Sequence, residues 1–178
     1  TDLVMSGEVE NAFCSVRPPG HHAERAKAMG FCFFNNIAIA ATHALEAHGL
    51  ERVAVVDFDV HHGNGTEDIF ANDPRVLMVS TFQHPFYPYS GTEAPAGNMV
   101  NVPVLAGTRS DGFRAAVESA WLPALAALGV ANAMILQGPL EQGVPRQAPY
   151  NVIVIEGLAD EVPPMLLGIP GDNTYANY

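Results

Sequence analysis

The sequence predicts an α/β fold, a three-layer sandwich built on a mostly parallel sheet. Three observations carry that expectation. Apolar runs at 53–56, 76–79 and 99–104 have the residue types and lengths of strands. Helix-favouring stretches at 37–48, 66–72 and 111–128 alternate with them. The chain has 178 residues, 48% of them hydrophobic, which suits one domain with a real core.

Residues 1–16 are short and irregular, with 11–16 expected as a strand. Arg17-Pro18-Pro19-Gly20 is a loop that its prolines hold in one shape. His21 and His22 follow directly. Neighbours cannot both face one pocket from a regular strand, so both serve a site only from an irregular loop; otherwise they are solvated loop histidines. A strand at 31–34 is expected next, with Cys32 a buried thiol in it. The alanine-rich run 37–48 then reads as a helix ending at Gly49. His43 and His48, on or just after it, read as surface or capping histidines, because cations favour a helix C-terminus.

The stretch that organises the chain is 53–65. Its buried strand ends in Asp57, Asp59, His61 and His62, followed by Gly63 and Gly65. Ligands in open α/β sheets sit at the carboxyl ends of parallel strands. Asp59 and His61 are two apart, so they point to one side, and Asp57 points there too. A carboxylate and an imidazole converging from one face suit zinc or a similar divalent ion. The competing reading is an acidic turn with solvated histidines.

A short helix at 66–72 is broken by Asp73-Pro74, and 76–81 is the next buried strand. The loop 82–91 holds Phe82, Phe86, Tyr87 and Tyr89 among prolines, which suits either a binding wall or a packed loop. After the strand at 99–104, a helix at 111–128 has Asp111 near its N-cap and Phe113, Val117, Trp121 and Leu125 on one face. Further strands are expected at 133–136 and 152–155.

Charge and cysteine content narrow the function classes. A formal net charge of -11, from Asp+Glu 19 against Lys+Arg 8, argues against nucleic acid or anionic membrane as partners. The 2 cysteines, Cys14 and Cys32, make no disulfide framework. No apolar run is long enough to span a membrane, and no secretory signal opens the chain, so a cytoplasmic protein is expected.

Three blocks resemble the histone deacetylase superfamily, including its bacterial deacetylase-like and acetylpolyamine amidohydrolase members. They are Arg17-Pro18-Pro19-Gly20-His21-His22-Ala23, Gly30-Phe31-Cys32-Phe33-Phe34-Asn35-Asn36 and Asp57-Phe58-Asp59-Val60-His61-His62-Gly63-Asn64-Gly65-Thr66. They stand in the family's order and spacing, and the resemblance covers about 7–125. It implies an arginase/deacetylase-like fold and Zn2+ on Asp59 and His61. His21 and His22 become the general base and its partner, oriented by Asp57 and Asn64. Phe31 and Tyr87 become walls of a substrate channel. Asp57 and Ser80 help hold a monovalent cation such as K+. Read without the resemblance, Phe31 is an ordinary core aromatic and Ser80 a strand-end hydroxyl.

The pattern departs from the family after about Leu125. The family's third ligand, an aspartate in a Gly-Phe-Asp-Ala-His context, is absent, as are its later glycine pair and carbonyl-polarising tyrosine. The expected organisation is therefore a truncated deacetylase-like core at 1–126, a foreign tail at 127–167 that packs on or extends the sheet, and a flexible terminus at 168–178. Parts of the tail, including Gly138-Pro139-Leu140-Glu141-Gln142-Gly143 and 148–157, resemble a fragment of protein-isoaspartate methyltransferase. The glycine-rich loop for the methyl donor is missing, so methyl transfer is not expected. Glu156, Asp160 and Asp172 are the tail's candidate substitutes for the third ligand. Open sheet edges favour a homo-oligomer.

Three functions compete on the sequence. The first is a metal-dependent acyl hydrolase, deacetylase-like, acting on short acyl esters ahead of N-acetyl amines. The second is a metal-binding remnant without turnover, since catalytic zinc normally has three protein ligands. The third is a serine-type carboxylesterase, although no Gly-x-Ser-x-Gly elbow occurs.

Overall fold

A computed structural model of the chain describes residues 1–129 and the strand at 153–156. The elements run in the order α1 (Asp2–Met5), α2 (Asn36–Glu46), β1 (Val53–Asp57), α3 (Asn64–Phe70), β2 (Val76–Gln83), β3 (Met99–Val104), α4 (Ser110–Ala116), α5 (Leu122–Leu128) and β4 (Ile153–Glu156). Among the described residues four strands form one sheet in the order β3-β2-β1-β4, and every pair is parallel. No helix among the described residues is long and apolar enough to cross a membrane.

The sandwich has the three expected layers. Val53 and Val55 of β1, with Val76 and Met78 of β2, pack against Ile37, Ala38, Ala41, Ala44 and Leu45 of α2 and Phe70 of α3. The alternate residues, Ala54, Val56, Leu77 and Val79, meet Trp121 and Leu125 on the other side, with Phe113 and Val117 at the margin. Both faces of β1 and β2 are buried, which is why these strands read as continuous apolar runs rather than as alternation.

Several local expectations are corrected. Residues 11–16 form no strand; Phe13 and Val16 are exposed, and nothing among the described residues offers them a ladder. Residues 31–34 form no strand: 29–32 is a tight turn closed by a Met29–Cys32 bridge, with Phe31 at φ 63, and 33–34 are bends. Cys32 is nonetheless buried, its thiol donating to the Gly30 carbonyl at 3.3 Å. The helix expected at 111–128 starts at Ser110, with Arg109 at the N-cap and Asp111 in the first turn as expected, and is interrupted by a π turn at Val117–Trp121. Pro123 lies just beyond that turn and has no N–H with which to continue an α-helical ladder. The tail strand appears as Ile153–Glu156, beside β1 at the sheet edge. The strand expected at 133–136, and Asp160 and Asp172, lie outside the described residues.

Candidate metal and histidine centre

The centre is assembled at the carboxyl end of β1. Asp57 is the last residue of that strand, buried at 1% exposure. Beyond it each aspartate catches the chain two residues on. Asp59 N–H donates to Asp57 Oδ1 at 3.1 Å, and His61 N–H donates to Asp59 Oδ1 at 2.7 Å. These turns keep the alternation going past the strand: Asp57 and Asp59 are buried while Phe58 and Val60 point outward.

The histidine loop comes from a distant part of the sequence. Gly20, at φ +118, starts a tight turn, and a Cβ there would lie 2.6 Å from the Asn36 nitrogen. The His21 carbonyl then accepts from Gly65 N–H at 2.9 Å and Thr66 N–H at 3.2 Å, so the loop sits on the first turn of α3. Asn35 completes the joint. Its side chain caps α2 through Ala38 N–H and donates to the Ala23 carbonyl and Thr66 hydroxyl.

Both histidines therefore face inward from an irregular turn, with ring centroids 4.1 Å apart. His21 Nδ1–H donates to Asp57 Oδ2 at 2.9 Å, and His22 Nδ1–H donates to Asn64 Oδ1 at 2.9 Å. A neutral imidazole that donates from Nδ1 carries its lone pair on Nε2, where it can accept a proton. Burial, and next the neighbouring His21, push His22 below the ordinary histidine value; its bond to Asn64 opposes the shift. His22 is thus held as a neutral base around pH 7.

Asp59 Oδ1 and His61 Nδ1 stand 2.9 Å apart. Two donors on one zinc, each at about 2.0–2.1 Å, can be separated by at most about 4 Å, so this pair fits one ion. Among the described residues no third titratable ligand atom joins them. Glu156 pairs in register with Asp57 at the carboxyl end of β4, so its backbone is beside the centre. Ser80 is opposite Asp57 on the other side, and its buried hydroxyl has no hydrogen-bond partner among the described residues. An orphaned oxygen beside a buried carboxylate fits a monovalent cation.

Tyr87 closes the cluster, with its ring centroid 5.1 Å from that of His22 and 6.1 Å from that of His61. Phe31 follows Gly30, whose Cα packs against the His22 ring, but its own side chain is 94% exposed. The structure thus gathers His21, His22, Asp57, Asp59, His61, Asn64 and Tyr87, leaves Ser80 one strand away, and sets Phe31 at the surface.

Sequence reasoning named Phe86 among the aromatics of its loop but did not single it out; it stacks on His61 at 5.0 Å. It missed a support network behind the centre. His62 Nε2–H donates to Glu67 Oε2 at 2.6 Å, and Asn101 holds the other Glu67 oxygen at 3.0 Å. The hydrogen bond from His62 holds the Glu67 carboxyl below its ordinary range, against the effect of burial. A depressed carboxylate contributes stability above its unfolded pKa and loses it as pH falls through the folded value. Glu67→Gln should therefore cost about 1–2 kcal/mol at neutral pH and progressively less as the medium is acidified below the ordinary glutamate range. Urea unfolding at a series of pH values checks this, and a constant difference at all pH values contradicts it.

Comparisons with known proteins give the family. The profile of the histone deacetylase domain matches residues 1–137. The chain belongs to the histone deacetylase family. A histone deacetylase-like amidohydrolase of Pseudomonas aeruginosa is 47% identical over 131 residues, covering 70% of this chain and 34% of its own. A probable deacetylase of Archaeoglobus fulgidus is 45% identical over 121 residues, covering 65% and 33%. The crystal structure of an acetylpolyamine aminohydrolase from Burkholderia pseudomallei superimposes with a TM-score of 0.65 at 39% identity, over 72% of this chain and 39% of that one. The chain thus spans about a third of the length of these curated family members. The parallel α/β architecture is that of deacetylase-family structures.

Proposed function

We propose that this chain is a metal-dependent hydrolase of acyl groups that acts on short acyl esters ahead of N-acetyl amines. The observation that carries the reading is the convergence of two hydrogen-bonded imidazoles, His21 on Asp57 and His22 on Asn64, with the ligand pair Asp59 and His61. Family relatives named as deacetylases and amidohydrolases support acyl transfer to water as the reaction class.

Asp59 and His61 would hold zinc, which supplies Lewis-acid polarisation of the acyl carbonyl and a more acidic water. The chain's own residues do the rest. His22, kept neutral, accepts the proton of the attacking water at Nε2. His21, its tautomer fixed by Asp57, offers a second basic Nε2 beside it, and the proton taken from water is returned from this imidazole pair to the departing group. Tyr87 and Phe86 wall the approach and keep bulk water from the imidazoles. Asp57 and Ser80 would hold a monovalent cation that steadies the buried carboxylate.

The preference for esters follows from the leaving group. Hydrolysis of an amide leans on a carbonyl-polarising donor and on proton delivery. Losing one such donor typically costs about 100- to 1000-fold. An activated ester has a better leaving group than an amide and depends less on that donor and on proton delivery. We further propose that β3 and β4, the edge strands of the sheet among the described residues, pair with a second copy, giving a homo-oligomer.

The deciding experiment is hydrolysis of an activated acetyl ester by purified protein, with and without a strong chelator. The expected result is activity that disappears with chelator and returns with zinc, and that exceeds activity on an acetyl-lysine amide. Hydrolysis indifferent to chelator, or labelling by a serine-directed phosphonate, would move the chemistry away from Asp59 and His61.

A further inference from the structure

We propose that Asp2, His43 and His48 form a second, peripheral site for a divalent transition-metal ion of the zinc type, clasping α1 to the end of α2. Asp2 Oδ1 lies 2.6 Å from His43 Nε2 and 2.7 Å from His48 Nε2. One ligand atom from each residue falls within 4.8 Å of the others, the only such trio among the described residues. Two imidazoles and a carboxylate are a zinc-type donor set, with room for water in the remaining position.

The local fold explains how two histidines five apart come together. The helix α2 ends at the Ala47 cap, whose N–H donates to the His43 carbonyl. The chain then reverses through Gly49, and Leu50 N–H bonds back to the Ala44 carbonyl at 3.2 Å. This return folds His48 over the last helical turn, with its ring centroid 5.2 Å from that of His43 and the planes at 81°. Neither residue is acting as a helix cap, which the sequence alone left open. Both imidazoles instead present Nε2 to one oxygen of an acidic residue from another element.

An exposed ion pair on its own contributes little. Asp2 is 74% exposed and belongs to a helix of 4 residues with no buried side chain. Hydrogen bonds to two exposed imidazoles are a weak fastening for such a segment, whereas a shared ion would tie the three groups directly. The trio is separate from the catalytic cluster. Asn35, at the other end of α2, is the residue that touches the histidine loop, and eleven helical residues span about 16 Å.

The test is calorimetric titration of zinc into the 178-residue chain and into three variants. His43→Gln/His48→Gln should lose one equivalent of bound zinc while ester hydrolysis stays unchanged. Asp59→Ala should lose hydrolysis but keep that equivalent, and adding the histidine pair of substitutions to Asp59→Ala should abolish it. Cobalt substituted at the site should give a visible absorption band that vanishes with the same histidine pair. Zinc should also slow hydrogen exchange in α1 only when both histidines are present. Zinc stoichiometry and affinity unchanged in His43→Gln/His48→Gln would overturn the proposal and leave an ordinary hydrogen-bonded ion triad. Because hydrolysis and zinc count are read separately, failure of the catalytic reading leaves this test intact.

Discussion

Asp59→Ala should abolish the proposed chelator-sensitive ester hydrolysis, by at least about 1000-fold, and remove zinc binding at the proposed Asp59–His61 centre. The expected loss is large because the substitution removes more than one ligand oxygen. Asp59 Oδ1 also receives the backbone N–H of His61 and faces His61 Nδ1, so the second ligand loses its anchor as well. A catalytic metal with one remaining protein ligand has no adequate coordination. His21→Ala should cost less, about 100- to 10,000-fold, since it removes proton transfer without touching the ligand pair. It also leaves Asp57 buried without its imidazole partner, so some stability should go with the activity. Rates measured with zinc in excess separate the two effects. Hydrolysis that survives unchanged in both variants would place the chemistry elsewhere.

Gly65→Ala should be the most damaging conservative change in the core of the site. A Cβ at Gly65 would lie 2.3 Å from the Ala23 carbonyl oxygen and 2.6 Å from the His22 carbonyl carbon. Both are backbone atoms, so neither can rotate away. Either α3 or the histidine loop must move, and overpacking of this kind typically costs about 1–3 kcal/mol. The contact is also the one through which α3 binds the His21 carbonyl. The expected outcome is a lower denaturation midpoint together with hydrolysis reduced beyond detection. A variant with unchanged midpoint and rate would mean that the loop does not rest on α3.

These effects come from residues whose roles were legible in the sequence to very different degrees. The strands β1, β2 and β3 were readable because each is a run of apolar residues long enough to cross a buried sheet. Their pairing with helices on both faces follows from that burial. The side on which Asp57, Asp59 and His61 lie was also readable, since residues two apart on extended chain share a face. That inference survives the bends after Asp57 because each aspartate holds the N–H two residues on.

The sequence failed where a segment's state depends on a distant partner. Residues 11–16 have strand-like side chains but no neighbour among the described residues to pair with. The run at 31–34 is apolar, yet the backbone turns at Phe31 because the chain must fold back onto the His22 ring at Gly30. The residues of the helix expected at 111–128 favour a helix throughout, and the π turn before Pro123 reflects a missing backbone donor that periodicity does not register.

By itself, then, the sequence determined the layer architecture, the location of the centre at the end of β1 and the residue types available there. Those depend on burial and local periodicity, which act over a few residues. Only the tertiary structure decided which imidazole meets which partner. It set His21 on Asp57 and His22 on Asn64, brought Phe86 onto His61, and joined Asp2 to His43 and His48 across more than forty residues. Such contacts are fixed by the packing of whole elements against one another, and no local pattern along the chain encodes them.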